Sequence, residues 1–236
     1  MLILMLSFAA YIFALAKRPL VYAGLALQTI YIISRGFELG RIPLVGPHDT
    51  LVFLSASIVV FFIVFRLVLK EHLPFHNATV IAAAVFTAGA LSAKAHNMPL
   101  PPVLKTFWFE IHVVLAFLSY ALFGIAAILG YLYIRKKENR LEGLQYRAIL
   151  VGYCLFSMSM IFGGIWAYLA WGTYWMWTPK ELWTSILWSF YSLYLHARLR
   201  QWWTGRPLAY LSIAGFIVVM FTYLGVSLLM KSSHSF

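Results

Sequence analysis

The chain has 236 residues, of which 63% are hydrophobic and 11% charged, with a mean hydropathy of +0.84 and a formal net charge of +11. A soluble domain of this size carries about a quarter of its residues as Asp, Glu, Lys and Arg, so composition excludes a soluble enzyme, and the positive charge is not read as a nucleic-acid footprint. In an integral membrane protein it has to be sorted loop by loop.

In chain order, residues 2–16 form an apolar run closed by Lys17 and Arg18. A secretory signal carries its positive charge before the apolar core, so this run is expected to be a first membrane helix. Further spans are expected at 19–34, 51–68, 77–93, 108–134 and 148–168, with a short helix at 183–197 and a last span at 207–230. A span needs about 20 residues to cross about 30 Å of hydrocarbon, and several of these fall short. Residues 35–50 read as a connection rich in Gly and Pro, 94–106 as a loop with three prolines, and Arg135 to Arg140 as a stop. The expected fold is all-α: a single polytopic transmembrane helix bundle of about eight spans over residues 1–236. Cys154 is the only cysteine and lies in an apolar run. The chain therefore has no disulfide framework, no CxxC and no CxxCH haem-attachment motif.

Eight alternating spans put both termini on one side and divide the eighteen Lys and Arg residues. Twelve fall on one face: Lys17, Arg18, Arg66, Lys70, Arg135, Lys136, Lys137, Arg140, Arg147, Arg198, Arg200 and Arg206. Six fall on the other: Arg35, Arg41, Lys94, Lys105, Lys180 and Lys231. The excess of positive charge marks the cytosolic side. Both termini and the connection at about 166–183 are therefore expected to face outward.

That connection contains Trp171, Trp175, Trp177 and, at its end, Trp183. Tryptophan favours the membrane interface, where its ring is half-buried and its N–H stays wet. An aromatic belt is one reading. The density of flat apolar rings also suits a large flat apolar ligand such as haem. Among the seven histidines, His48 and His96 read as outer-loop residues, and His72 and His76 as members of an inner turn, all four solvated. His112 lies at the outer start of the fifth span. An ionisable group at that depth is a functional candidate, unless it is merely bonded to neighbouring backbone. His234 alone reads as a frayed terminus, and His196 as a cation at a helix C-terminus.

The string Trp-Gly-x-x-Trp-x-Trp-x-Pro-Lys-Glu-x-Trp over 171–183, followed by Trp188 and Tyr194-Leu195-His196, resembles the tryptophan-rich (WWD) signature of the CcsA/ResC family of System II cytochrome c biogenesis proteins. Thr178 stands where that family usually has Asp. Other stretches extend the resemblance from about residue 35 to the C-terminus. Trp108-x-x-x-His112-Val113 resembles the segment carrying the first external haem ligand. Phe221 to Val226 with His234 resembles the segment carrying the second, and Tyr194-Leu195-His196 the one carrying the transmembrane histidine. Arg35 to Leu44, with Asp49, resembles an earlier loop of the family.

The resemblance implies a protein of the bacterial inner membrane or a thylakoid-type membrane that moves haem b to the outer face and presents it to apocytochrome c. It implies His112 and His234 as axial ligands, His196 at inner depth, Trp171, Trp175, Trp177 and Trp183 around the ring, and Lys180 near a propionate. Arg35, Arg41 and Lys231 are further cations for that role. It also implies a second membrane protein of the CcsB/ResB type, completing a haem lyase to which the thioether chemistry belongs. A haem-binding regulatory protein resembling HemX, and a small-molecule transporter unrelated to haem, are the alternatives.

Overall fold

The computed structural model describes residues 1–70, 72–95, 97 and 99–226. These form eight α-helices with no strand among them: α1 (Leu2–Ala14), α2 (Leu20–Leu39), α3 (Pro47–Leu69), α4 (Leu73–Ser92), α5 (Phe107–Lys136), α6 (Asn139–Trp171), α7 (Pro179–Leu199) and α8 (Arg206–Met220). Local chemistry sets many of the boundaries. Proline sits in the first turn of α3, α4, α7 and α8, where its missing N–H costs nothing. The hydroxyl of Thr106 accepts from the Phe109 N–H at 3.2 Å to open α5. Gly40 and Gly172 close α2 and α6 in the left-handed conformation, which glycine adopts without steric cost. Among the described residues six segments are long and apolar enough to cross a membrane: α2 to α6, and α8 continued through the turn that follows it to Gly225; α1 is apolar but has 13 residues. The all-helical membrane architecture expected from the sequence is present.

Some boundaries move. Helix α6 begins at Asn139 instead of 148, leaving Lys137 and Glu138 as the turn after α5. Its first turns are amphipathic: Leu141, Leu144 and Gln145 are buried among charged neighbours. A hydropathy reading misses such turns. Helix α2 runs to Leu39, and α4 starts at Leu73.

The chain divides into two compact units, residues 1–101 and 102–236. In the first, α1, α2, α3 and α4 enclose a chain of buried polar groups. The Tyr11 hydroxyl donates to Gln28 Oε1 at 2.6 Å, Gln28 Nε2 donates to Thr87 at 3.3 Å, and Ser55 pairs with Thr87 at 2.9 Å. Each group finds a partner, as burial away from water requires. Nearby, Arg35 Nε donates to Asp49 Oδ1 at 2.9 Å, with both side chains almost wholly buried.

His48 and His76 are not solvated. His48 has no exposure; its Nδ1–H donates to the Ala90 carbonyl at 2.7 Å, and Nε2 accepts from the Tyr31 hydroxyl at 2.7 Å. His76 is 5% exposed and donates from Nε2 to the Ala14 carbonyl at 3.0 Å. His72 is half-buried and caps α4, its Nδ1 accepting from the Phe75 N–H at 3.2 Å. His96 lies outside the described residues.

In the second unit, α5 runs antiparallel to α6 and to α8. Gly152 of α6 meets Phe123 of α5 so closely that a Cβ there would stand 2.9 Å from that ring. The Phe123 ring stacks on Tyr191 of α7 at 3.7 Å. Small residues let helices approach where lipid supplies no hydrophobic drive between them. After α8 the backbone widens into a single π-turn over Phe221–Gly225, a feature frequent at functional sites.

Candidate functional site

His112 lies in the second turn of α5 and is half-buried. Its Nδ1 is 2.8 Å from the Ser159 carbonyl of α6. A carbonyl only accepts, so Nδ1 carries the proton and the lone pair resides on Nε2. The Ser159 hydroxyl donates to the His112 carbonyl at 2.8 Å and lies 3.1 Å from Nδ1. One turn along α6, Gly163 is pressed against the imidazole: a Cβ there would stand 2.6 Å from Nδ1. Ring plane and tautomer are thus set by α6, which is the arrangement a metal-ligating histidine requires. Of the two readings of His112, the bond to neighbouring backbone is present in the structure.

The tryptophan loop begins at the same end of this unit. Phe109, one turn before His112, packs on Trp166 at 5.1 Å, and Trp166 packs edge-on against Trp171 at 4.8 Å. The Trp166 indole N–H donates to the Val103 carbonyl at 2.8 Å. Trp171, Trp175 and Trp183 are half-buried, and Trp183 packs against Phe221 of the π-turn at 4.5 Å. Trp177 is 70% exposed and has a positive φ of 56°, a conformation that costs a non-glycine residue of order 1–3 kcal/mol unless its surroundings hold it.

Glu181 holds it. This buried carboxylate accepts from the Met176 N–H at 3.0 Å and the Thr178 N–H at 2.8 Å, bracketing Trp177. In return the Glu181 N–H bonds the Thr178 hydroxyl at 3.4 Å, completing a capping box at the start of α7. Thr178 is therefore the N-cap of α7. Asp is at least as good a cap, so either residue satisfies the fold. Thr178→Asp is expected to leave stability within about 0.5 kcal/mol of the parent, whereas Thr178→Ala costs about 0.5–2 kcal/mol. Thermal unfolding in detergent checks both.

Lys180, in the first turn of α7, is half-buried, and burial lowers its pKa from the ordinary lysine value. An ammonium partly withdrawn from water gains from an anionic partner. Of the other cations considered for that role, Arg35 is committed to Asp49; Lys231 lies outside the described residues, as does His234. His196 is exposed at the far end of α7, edge-on to Trp202 at 5.1 Å. At that end Arg198 and Glu142 pair at 3.7 Å. The structure thus brings His112 and the start of the tryptophan loop to one end and leaves His196 at the other.

Sequence reasoning singled out His112 but not Ser159, Gly163 or the bracketing role of Glu181. The available signals were the small residues Gly152, Ser159 and Gly163 on α6 and the Thr178-x-x-Glu181 spacing. Among the described residues no three His, Cys, Asp or Glu side chains converge to hold a bare metal ion. An iron that brings its own four equatorial nitrogens needs only axial ligands, and His112 fits that demand.

Three relatives share most of the chain, each bearing the name cytochrome c biogenesis protein CcsA. The protein of Guillardia theta is 34% identical over 90% of this chain and 83% of its own length. That of Gloeothece citriformis (strain PCC 7424) is 28% identical over 91% and 86%, and that of Chlamydomonas reinhardtii 30% identical over 92% and 68%. The model of the cytochrome c assembly protein family matches residues 45–234, which include the tryptophan loop and all three candidate ligands, and the chain belongs to that family.

Proposed function

We propose that the chain acts in cytochrome c assembly by holding haem b where His112 and the tryptophan loop meet and presenting it to apocytochrome c. The observation that supports this reading is the Ser159 bond, which puts the proton of His112 on Nδ1 and fixes the ring against α6. His234 serves as the second axial ligand. Trp171, Trp175, Trp177 and Trp183 cover the ring, and Lys180 takes a propionate. The bound haem supplies the vinyl groups on which the thioethers are made. The chain's own residues hold and orient it. His196 belongs to a separate site at the far end of α7, completed by a CcsB/ResB-like partner. Because Thr178 performs a cap that Asp performs as well, its presence gives no support to the HemX-like regulatory reading.

Retained haem per molecule tests the proposal. Truncating a packed tryptophan costs about 3–5 kcal/mol in a core and less at a half-exposed surface. A loss of about 1.4 kcal/mol lowers affinity tenfold. Trp171→Ala, Trp175→Ala and Trp177→Ala should each reduce haem per inserted molecule. Unchanged haem with reduced protein level would mark the rings as membrane anchors only. With all eight helices taken as crossing, the twelve-to-six division of basic residues supports an outward loop: in a Cys154→Ser background, Thr173→Cys should react with an impermeant thiol reagent in intact cells, and Asn139→Cys should not. The reverse pattern would place the loop on the wrong side for export.

A further inference from the structure

We propose that Phe221 and Gly225 of the π-turn are positioning residues for Trp183 of the tryptophan loop, and so set how tightly the loop holds haem; this rests on the haem reading above. In the turn the Val226 N–H bonds the Phe221 carbonyl, five residues back, where an α-helix bonds four back. The Phe221 ring packs on the Trp183 indole at 4.5 Å with 60° between the planes, so that ring edge meets ring face. Two residues on, Tyr223 packs edge-on against Phe117 of α5 at 5.1 Å. The turn therefore touches both the helix that carries His112 and the last tryptophan of the loop.

Gly225 makes that position available to Phe221. A Cβ at 225 would stand 2.6 Å from Cδ2 of the ring and 3.0 Å from Cε2. Contact that close forces the ring to move, and the contact it would leave is the one with Trp183. Gly225 is not among the glycines with positive φ, so its backbone does not call for glycine, and glycine in helical backbone costs stability. What it supplies is space for Phe221. The Thr222 hydroxyl donates to the Val218 carbonyl, four residues back, at 2.8 Å. Such a bond bends a helix, and here it stands at the start of the widened turn.

Trp183 follows the capping box that fixes the start of α7. Its backbone is thus set from within α7, and its half-buried indole is set by Phe221. An indole already held still does not have to be ordered when a ligand arrives. Ordering a side chain of that size costs about two- to tenfold in affinity.

The test titrates the full-length protein in detergent with haem and reads the Soret band. Gly225→Ala and Phe221→Ala should each weaken haem binding about two- to tenfold and keep the parent Soret position at saturation, because the axial ligand is untouched; His112→Ala should shift it. In a Trp183→Ala background neither change should weaken binding further, which is what acting through Trp183 requires. Phe221→Ala only removes atoms, so it reports even where Gly225→Ala fails to fold. Adding Gly225→Ala to Phe221→Ala should not lower the melting temperature, since the new methyl then meets no ring; a fall would mean that Gly225 does not serve Phe221. A loss of affinity that persists undiminished in the Trp183→Ala background marks a merely structural defect and overturns the positioning role. Parent affinity in Phe221→Ala overturns it too: the haem reading stands if His112→Ala loses haem, and falls with it if His112→Ala does not.

Discussion

His112→Ala should insert normally, lose at least nine-tenths of its bound haem and fail to support cytochrome c assembly. The change removes the ligating nitrogen and leaves the tryptophan loop in place, since Glu181 and Thr178 fix that loop from α7. Added imidazole should restore part of the haem content by filling the vacated coordination position. Gly163→Ala should resemble a weaker form of the same defect. Its methyl would overlap Nδ1, so the ring must turn away from the Ser159 carbonyl, and imidazole should help less because the original ring still crowds the position. Ser159→Ala keeps the backbone carbonyl and loses only the hydroxyl, which is worth about 0.5–1.5 kcal/mol. Haem content and Soret position across the three variants separate ligand from positioning residue.

The second large effect is on stability and lies in the first unit. Arg35→Ala strands the Asp49 carboxylate, which is 2% exposed. Breaking a buried ion pair from one side costs about 3–5 kcal/mol, because the remaining charge is neither solvated nor neutralised. Replacing both partners with apolar residues, Arg35→Met with Asp49→Leu, should recover most of that loss. Unfolding of the purified protein in detergent measures both. Equal stability of Arg35→Ala and the parent would mean that water reaches Asp49.

The sequence made the helices legible because apolar runs of membrane length admit few other structures. It was least informative at their ends. Asn139 to Arg147 reads as polar, yet its apolar residues fall on one face and α6 begins there. Arg35 and His48 read as loop residues for the same reason: in a membrane helix, a charge or an imidazole is placed by its partner, and the partners Asp49, Ala90 and Tyr31 are not adjacent in the chain. At the site, the tryptophan density and His112 stood out by residue type. The atoms that prepare His112 are a backbone carbonyl and the missing side chain of Gly163, neither of which has a sequence signature of its own. Thr178 drew notice as a departure from the family string, and only its bond to the Glu181 N–H identifies the role it shares with Asp.

The visible spectrum of the full-length protein, purified and titrated with haem, tests the central claim most directly. Two imidazoles on one iron make it six-coordinate and low-spin. The account predicts a saturable Soret band of that kind, with one haem per chain at the site and a clear loss of low-spin character in both His112→Ala and His234→Ala. A parent protein that develops no Soret band on haem addition, or one whose band is identical in both variants, would contradict it.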